Sequence, residues 1–327
     1  MRKILHYTAI VLSLFFITSN VQAQAPENFT KAKEIARERI YYDQNQKSQG
    51  TIYCGCDWEW VGKSGGRVDL ASCGYNVRTQ QTRAERIEWE HIVPAWVFGH
   101  QRQCWQNGGR TNCVKNDPVF GKIEADLHNL APSIGEVNGD RSNFSFGQLP
   151  AKAPYQYGQC RSRVDFSSRT FEPRNDVKGQ VARVYFYLHD RYNLSMSRQQ
   201  QQLLMAWDNA YPPTAWEKER DNRIARIVGY HNPFVTGEMK WQLGHKNSGV
   251  GLSATNSTLV TKAKTEIPKQ INTSQSEDIK GNVNSKIYHF SHCSGYKTMS
   301  DKNAVLFKTE SEAIKAGYRL ANNCKQP

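Results

Sequence analysis

The chain has 327 residues, enough for one large domain or for a domain with a small appendage. Its formal net charge of +13 favours polyanionic partners (nucleic acid, anionic lipid or acidic polysaccharide), although such a charge also serves solubility alone. Outside residues 1–23, no segment is long and apolar enough to predict a membrane-spanning helix, and we expect no stable membrane insertion.

Residues 1–23 have the pattern of a signal peptide. Arg2 and Lys3 give a positive start, residues 10–17 form a short apolar run, and residues 21–23 read Val-Gln-Ala, a small-residue cleavage site. The run is too short to span a bilayer, and an uncleaved anchor is the alternative. We therefore expect a periplasmic or secreted protein that begins near Gln24 and carries a charge of +11.

The mature chain contains eight cysteines: Cys54, Cys56, Cys73, Cys104, Cys113, Cys160, Cys293 and Cys324. An even count in an exported protein predicts disulfides. Six precede residue 161 and two lie near the C-terminus, which predicts two separately cross-linked units. Cys104 and Cys113 are the simplest pair, because they enclose a Gly-Gly-Arg turn; spacing does not decide the pairing of the others.

Composition divides the mature chain into three parts. Aromatic residues are spread through residues 24–240, which predicts a globular domain. We predict a flexible linker over 241–285, since residues 247–285 are rich in Ser, Thr, Asn and Lys and contain no aromatic residue. Apolar residues return in 286–327, which predicts a small Cys/His module.

Local patterns in residues 24–240 predict a mixed α+β domain. An extended segment over 86–93 ends at Pro94, which cannot donate a ladder hydrogen bond. Helical spacing of apolar residues between 181 and 188 predicts a helix over about 179–192. Capping-box spacing predicts three further helix starts. These are Ser133 with Glu136 (helix to about Asn143), Ser197 with Gln200, and Thr214 with Glu217 (helix to about Gly229).

The tetrapeptide Glu88-Trp89-Glu90-His91 brings two carboxylates and an imidazole together near a strand end. Carboxylates bind hard cations such as Mg²⁺, and a neutral imidazole accepts a proton from water near pH 7. Taken alone, the pattern also fits a solvated charged strand. In a regular strand Glu88 and Glu90 share one face while His91 points to the other, so joint action on one phosphate predicts a break in the pleat.

A second run, from Asp126 to Phe144, is dense in oxygen-bearing side chains. If Ser133 is the N-cap, Asn138 lies one turn inside the following helix, where its carbonyl could bind Mg²⁺. Capping or turn roles are the alternative for the asparagines of this run.

Many motifs of the chain resemble those of the bacterial endonuclease I family of periplasmic and secreted nucleases, in order over residues 27–236. They include Glu88–Trp96, Phe98–Trp105, Gly108–Arg110, His128–Phe144, Gly158–Cys160, Arg183–Tyr187 and His231–Phe234. The resemblance implies a ββα-metal (His-Me finger) core within the α+β domain. It also implies a Mg²⁺-dependent endonuclease that cuts DNA and RNA with little sequence preference and leaves 5′ phosphates.

The resemblance also implies roles for single residues. Glu90 and Asn138 would hold Mg²⁺, His91 would be the general base, Arg110 would contact the phosphate, and Glu88 and Glu124 would be outer carboxylates that orient metal-bound water.

A basic set could form a surface that follows the nucleic-acid backbone. Its members are Arg102, Arg161, Arg163, Arg174, Lys178 and Arg183. We expect DNA and RNA as partners, and a monomer. The alternatives are a non-catalytic exported nucleic-acid-binding or uptake protein on the same scaffold, and a basic surface-binding protein. The intact Glu90, His91 and Asn138 argue against both.

Residues 286–327 resemble the small Ada-type module sometimes attached to nucleases. His289, His292, Cys293 and Cys324 could bind Zn²⁺ there. In an oxidising compartment a Cys293–Cys324 disulfide is favoured over zinc.

Overall fold

The computed structural model describes residues 24–47, 49–252, 279–307, 310–321 and 323–324. Residues 1–23, for which the sequence predicts a signal peptide, lie outside this described part. The chain divides into two compact units, residues 1–256 and 257–327. Helices and small sheets occur in both, which confirms the predicted α+β class.

Helices are the main regular structure of the first unit. They are α1 (Phe29–Ile35, continued by a π-helical turn through Ile40), α2 (Gln81–Ala84), α3 (Ala95–Gly99), α4 (Gln103–Gln106), α5 (Gly109–Asn116), α6 (Pro118–Glu124), α7 (Gly135–Arg141), α8 (Asn175–Arg191), α9 (Arg198–Ala210), α10 (Ala215–Val228) and α11 (Pro233–Thr236). Across the described ranges, no helix has both the length and the apolar character needed to cross a membrane.

Small sheets complete the first unit. An antiparallel hairpin joins β1 (Trp58–Val61) to β2 (Gly65–Val68), and β3 (Ile87–His91) pairs antiparallel with β4 (Leu130–Ile134). A third sheet has the order β5-β7-β6 and comprises β5 (Ser145–Phe146), β6 (Arg163–Asp165) and β7 (Thr170–Glu172). Helix α7 starts directly after β4, so β3, β4 and α7 form one continuous structural unit.

Helix α8 lies at the centre of the hydrophobic core. Its residues 177–190 are all buried, and side chains such as Val181 and Phe186 belong to the main apolar cluster. A helix that is buried all round must also satisfy its polar side chains. Arg183 does so with Glu217 at 2.6 Å and Asp208 at 2.7 Å. The core therefore contains fixed charges as well as apolar side chains.

The capping predictions are confirmed at two of three helices. Ser197 accepts a hydrogen bond from the Gln200 amide, and Thr214 accepts one from the Glu217 amide. Helix α10 ends, as predicted, at Gly229, which has the left-handed conformation (φ 86°) that favours glycine.

The third capping box is wrong. Ser133 is a buried residue of β4, and α7 begins at Gly135 without a side-chain cap. The Glu136 carboxylate accepts hydrogen bonds from Tyr75 and from the amides of residues 78–80 instead of turning back to Ser133. The pairing of β4 with β3 and the long-range hydrogen bonds of Glu136 prevail over the local pattern. Together they satisfy more backbone hydrogen-bonding groups than one side-chain cap would.

All eight cysteines form disulfides. The Cys104–Cys113 pair is confirmed, and the pairs whose partners spacing left open are Cys54–Cys160 and Cys56–Cys73. The Cys54–Cys160 bond closes a loop of 106 residues. It joins the segment before β1 to the segment before β6.

The described residues at the two ends of the predicted 241–285 linker are packed. Trp241 is buried, stacks on Phe186 with ring centroids 5.0 Å apart and donates to Gln201 at 3.0 Å. His245 contacts Asp190 at 2.7 Å. At the other end, a strand begins at residue 279. Between them, residues 253–278 lie outside the described part.

The second unit is a small mixed sheet with short helices. Its strands are β8 (Ile279–Asn282), β9 (Ile287–Phe290), β10 (Ala304–Phe307) and β11 (Arg319–Leu320), in the order β10-β8-β9-β11, and its α-helices are α12 (Ser294–Thr298) and α13 (Glu310–Lys315). The Cys293–Cys324 disulfide forms, as the sequence favoured. Both sulfurs are buried in the apolar cluster of the unit.

Trp241→Ala should lower the free energy of unfolding by about 3 kcal/mol. It opens a cavity against Phe186 and removes the indole N–H that donates a hydrogen bond to Gln201. Leu243→Ala, two residues away on an exposed side chain, should change it by less than about 0.5 kcal/mol. Urea denaturation followed by circular dichroism measures both. Equal effects of the two variants would contradict the packing of this segment.

Candidate active site

A cleft of about 660 Å³ surrounds the end of strand β3. Its lining includes five of the six residues that the sequence proposed for the site: Glu88, Glu90, His91, Arg110 and Asn138. Glu124, the sixth, lies beside the cleft and reaches it through Arg110 and His91. The paired strands β3 and β4, together with α5 and α7, thus bring together residues that are up to 50 positions apart in the sequence.

The predicted break in the pleat of β3 does not occur. Glu90 pairs with Ala131 and His91 with Leu130, and the ladder continues as the Ile92 amide donates to Asn129. The prediction was wrong because it assumed a cleft on one face of the strand. Since the cleft extends around the strand end, side chains from both faces line it.

Glu90 is only 2% exposed and has two contacts at one oxygen. The Tyr53 hydroxyl donates to Oε1 at 2.7 Å, and Nη1 of Arg141 lies 3.0 Å from the same atom. Within the described residues Oε2 accepts no hydrogen bond, so it remains for a ligand. Burial raises the pKa of the Glu90 carboxyl, while the Arg141 charge and the Tyr53 hydrogen bond oppose this shift.

Asn138 and Glu88 hold each other in a fixed orientation. Nδ2 of Asn138 donates to Oε2 of Glu88 at 2.9 Å. Because an ionised carboxylate only accepts, this contact fixes the amide and leaves Oδ1 of Asn138 for a ligand. Arg83 and Arg86 lie 2.6 and 2.8 Å from the same carboxylate. Burial would raise the pKa of Glu88, but these hydrogen bonds lower it below the usual value.

One nitrogen of His91 is bound to the protein. Nε2 lies 2.8 Å from the backbone oxygen of Glu124, which only accepts, so Nε2 carries the hydrogen and Nδ1 has the lone pair. The Phe29 ring packs on the imidazole with centroids 4.6 Å apart. Burial lowers the pKa of His91 to about 3, so the imidazole is neutral at pH 7. A neutral ring held in one tautomer is suited to accept a proton.

Arg110 lies in the first turn of α5 and is anchored by Glu124. Its Nε donates to Oε1 of Glu124 at 2.7 Å, while 45% of the arginine side chain stays exposed. The remaining guanidinium N–H groups can therefore bind an anion in the cleft. The Glu124 carboxylate is itself buried and orients Arg110, whereas the backbone carbonyl of the same residue orients His91.

Sequence reasoning missed four residues that shape this cleft. Tyr53 and Arg141 hold Glu90, Phe29 packs on His91, and Arg83 binds Glu88. Arg141 could have been noticed, because it lies one helical turn after Asn138 within the same motif. Tyr53 and Phe29 carry no local signal, since their partners are distant in the sequence.

The basic set proposed from the sequence is mostly used inside the fold. Arg163 and Lys178 share the buried Glu172, and Arg183 is fully buried. Arg102 and Arg174 are also in ion pairs, which leaves Arg161 as the exposed member. Other cations, Lys33, Arg83 and Arg110, line the cleft at the end of β3.

In the second unit, a nitrogen of His292 and the sulfurs of Cys293 and Cys324 lie within 4.8 Å of one another. The two sulfurs are joined in the disulfide. A zinc ion would need both as thiolates, so the oxidised unit does not offer this ligand set.

Comparison with known proteins shows the family of the chain. The family model of Endonuclease I matches residues 28–238. An extracellular deoxyribonuclease of Aeromonas hydrophila is 52% identical over 220 residues, 67% of this chain and 92% of the relative. A periplasmic deoxyribonuclease of Aeromonas hydrophila is 45% identical (71% and 96%), and Endonuclease-1 of Buchnera aphidicola subsp. Baizongia pistaciae is 43% identical (75% and 98%). The chain therefore belongs to the Endonuclease I family and is a nuclease.

Proposed function

We propose that this protein is an exported, Mg²⁺-dependent endonuclease that hydrolyses DNA and RNA with little sequence preference and leaves 5′ phosphates. One observation carries the proposal. A neutral imidazole with a free Nδ1, a buried carboxylate and an oriented amide oxygen line the same cleft. These are the proton acceptor and the oxygen ligands that metal-assisted phosphodiester hydrolysis requires.

The cleft residues fit a magnesium ion. Oε2 of Glu90 and Oδ1 of Asn138 accept no hydrogen bond within the described residues, and Mg²⁺ prefers oxygen ligands. Burial disfavours the Glu90 anion, which a bound cation would compensate. We propose Glu90 and Asn138 as the ligands. When bound, Mg²⁺ would neutralise charge on the phosphate and on the departing 3′ oxygen.

His91 would act as the general base. Its Nδ1 would take a proton from the attacking water, and the resulting imidazolium would keep its Nε2–H bond to the Glu124 carbonyl. Phe29 would restrain the ring during this step. Glu88 would act by holding the Asn138 amide, and Arg83 in turn holds Glu88.

Arg110 would bind the non-bridging oxygens of the phosphate. Its Nε is occupied by Glu124, so its terminal nitrogens would make the contact. Lys33 and Arg83 would attract the same polyanion to the cleft. Contacts of this kind carry no base information, which supports low sequence preference and cutting of both DNA and RNA.

We further propose that the chain acts outside the cytoplasm as a monomer. The signal-peptide pattern of residues 1–23 and the four disulfides support export to the periplasm or the medium. Relatives named periplasmic and extracellular deoxyribonucleases agree. On sequence resemblance we assign the C-terminal unit to the Ada-type modules, and the first unit to the ββα-metal nucleases.

Plasmid cutting should require a divalent metal and His91. EDTA should abolish cutting and added Mg²⁺ should restore it. His91→Ala should lower kcat by about 10²- to 10⁴-fold, because general-base catalysis is lost. His100→Ala, an imidazole that does not line the cleft, should keep wild-type activity. Timed gels of supercoiled plasmid and of an RNA substrate measure this, and full activity of His91→Ala would refute the base.

Products should be ligatable without kinase treatment. Cleavage of the bond to the 3′ oxygen leaves the phosphate on the 5′ end of the next nucleotide. Cut DNA should therefore accept a ligase directly and lose this property after phosphatase treatment. Ends that need a kinase before ligation would contradict the proposed product.

Glu88→Ala should weaken metal binding about 10- to 100-fold, because Asn138 loses the partner that orients its amide. Titration calorimetry with Mn²⁺ as a probe and without nucleic acid measures the affinity directly. Glu85→Ala removes an exposed carboxylate three residues away and should leave the affinity unchanged. Unchanged affinity in Glu88→Ala would mean that Asn138 is not a ligand oriented by Glu88.

A further inference from the structure

A second cleft of about 630 Å³ lies in the nuclease domain, within the size range of ligand sites, about 300–1,000 Å³. It shares no lining residue with the catalytic cleft. Its wall includes Tyr155, Arg161, Arg163, Arg174 and the first residues of helix α8. None of these residues has a part in the proposed hydrolysis.

Tyr155 forms a flat platform at this cleft. Its side chain is 48% exposed, although a ring of this size usually packs inside a domain. The guanidinium of Arg163 lies 5.2 Å from the ring centroid and is fixed by the carbonyls of residues 150, 151 and 153 and by Glu172. The platform therefore rests on a side chain that cannot move freely.

Arg161 supplies a second charge at the same ring. It is exposed, its guanidinium lies over the Tyr155 ring at 5.5 Å from the centroid, and it has no ion pair within the described residues. Because Arg161 is exposed and lacks an ion pair, its guanidinium can turn from the ring toward a phosphate. Arg161 follows Cys160, whose disulfide to Cys54 anchors the wall of the cleft. Three arginines line the cleft against two acids, Glu172 and Asp176. The site is thus rigid and cationic, with a half-exposed aromatic ring and an exposed arginine at its face.

We propose that this cleft is a second nucleic-acid site, which binds a single-stranded segment with a base stacked on Tyr155 and a phosphate on Arg161. An aromatic platform beside a cation suits single strands, because every unpaired base has a face to stack and every nucleotide has a phosphate to pair. A duplex keeps its bases stacked on each other and cannot use Tyr155. The proposal rests on the nucleic-acid substrate proposed above.

Binding to a fluorescent single-stranded oligonucleotide tests this site apart from catalysis. All proteins carry His91→Ala and are assayed in EDTA by fluorescence anisotropy. Tyr155→Ala should weaken binding about 5- to 100-fold, whereas Tyr155→Phe, which keeps the ring, should bind normally. Arg161→Glu should weaken binding and reduce its salt dependence, because one phosphate contact is lost. Arg198→Glu makes the same charge change at an exposed arginine outside the cleft and should bind nearly as before.

An abasic oligonucleotide separates stacking from a change in folding. Tyr155→Ala should make no difference to its binding, while Arg161→Glu should still weaken it. The proposal is overturned if Tyr155→Ala binds the normal oligonucleotide within twofold of the parent, if it weakens abasic binding equally, or if Arg198→Glu is as harmful as Arg161→Glu. Failure of the proposed function would instead appear as absent cutting of plasmid by the wild-type protein with Mg²⁺, an assay that does not depend on this cleft.

Discussion

The buried contact between Arg141 and Glu90 is the constraint on which the rest of the candidate active site depends. Arg141 is the last residue of α7 and is 1% exposed. Besides Glu90 at 3.0 Å, it binds the backbone oxygens of His91 and Ile92, which ties the helix to the strand end. A buried pair of this kind has little net effect on stability, but removal of either partner leaves a costly unpaired charge. Its main consequence is therefore geometric: it fixes α7, and with it Asn138, against β3.

Each of the three groups proposed to take part in hydrolysis has one polar atom hydrogen-bonded to the protein and one left for a ligand or substrate. Glu90 uses Oε1, Asn138 uses Nδ2 and His91 uses Nε2 for internal hydrogen bonds. The opposite atoms therefore have defined directions before any substrate arrives. Groups that are already oriented lose little entropy and need little reorganisation during the reaction, which is the main advantage of a preformed site.

The sequence could predict several residues that line the cleft, but fewer of the contacts around them. Local signals identified β3, the caps at Ser197 and Thr214, and four residues that line the cleft, and the family resemblance added Arg110. The Ser133 cap failed because Glu136 binds a loop nearly 60 residues earlier. Contacts such as Tyr53 with Glu90 depend on how distant segments pack, and no local periodicity encodes them. The disulfide pairs that the sequence did not decide also depend on the packing of distant segments, since Cys54 and Cys160 are separated by 106 residues.

The net charge of the chain is an imperfect guide to the number of unpaired cations on its surface, again because contacts between distant residues decide it. Several of the arginines that make the chain basic pair with buried acids, so they organise the core and contribute no free charge outside. In the proposed function the polyanion would be attracted by a smaller number of cations that line the cleft at β3, chiefly Lys33, Arg83 and Arg110. Low-dielectric cleft walls strengthen the field of such charges above that of an exposed residue. Attraction would thereby be concentrated where the proposed hydrolytic groups lie, and the number of phosphates held would depend on these few residues rather than on the total of +13.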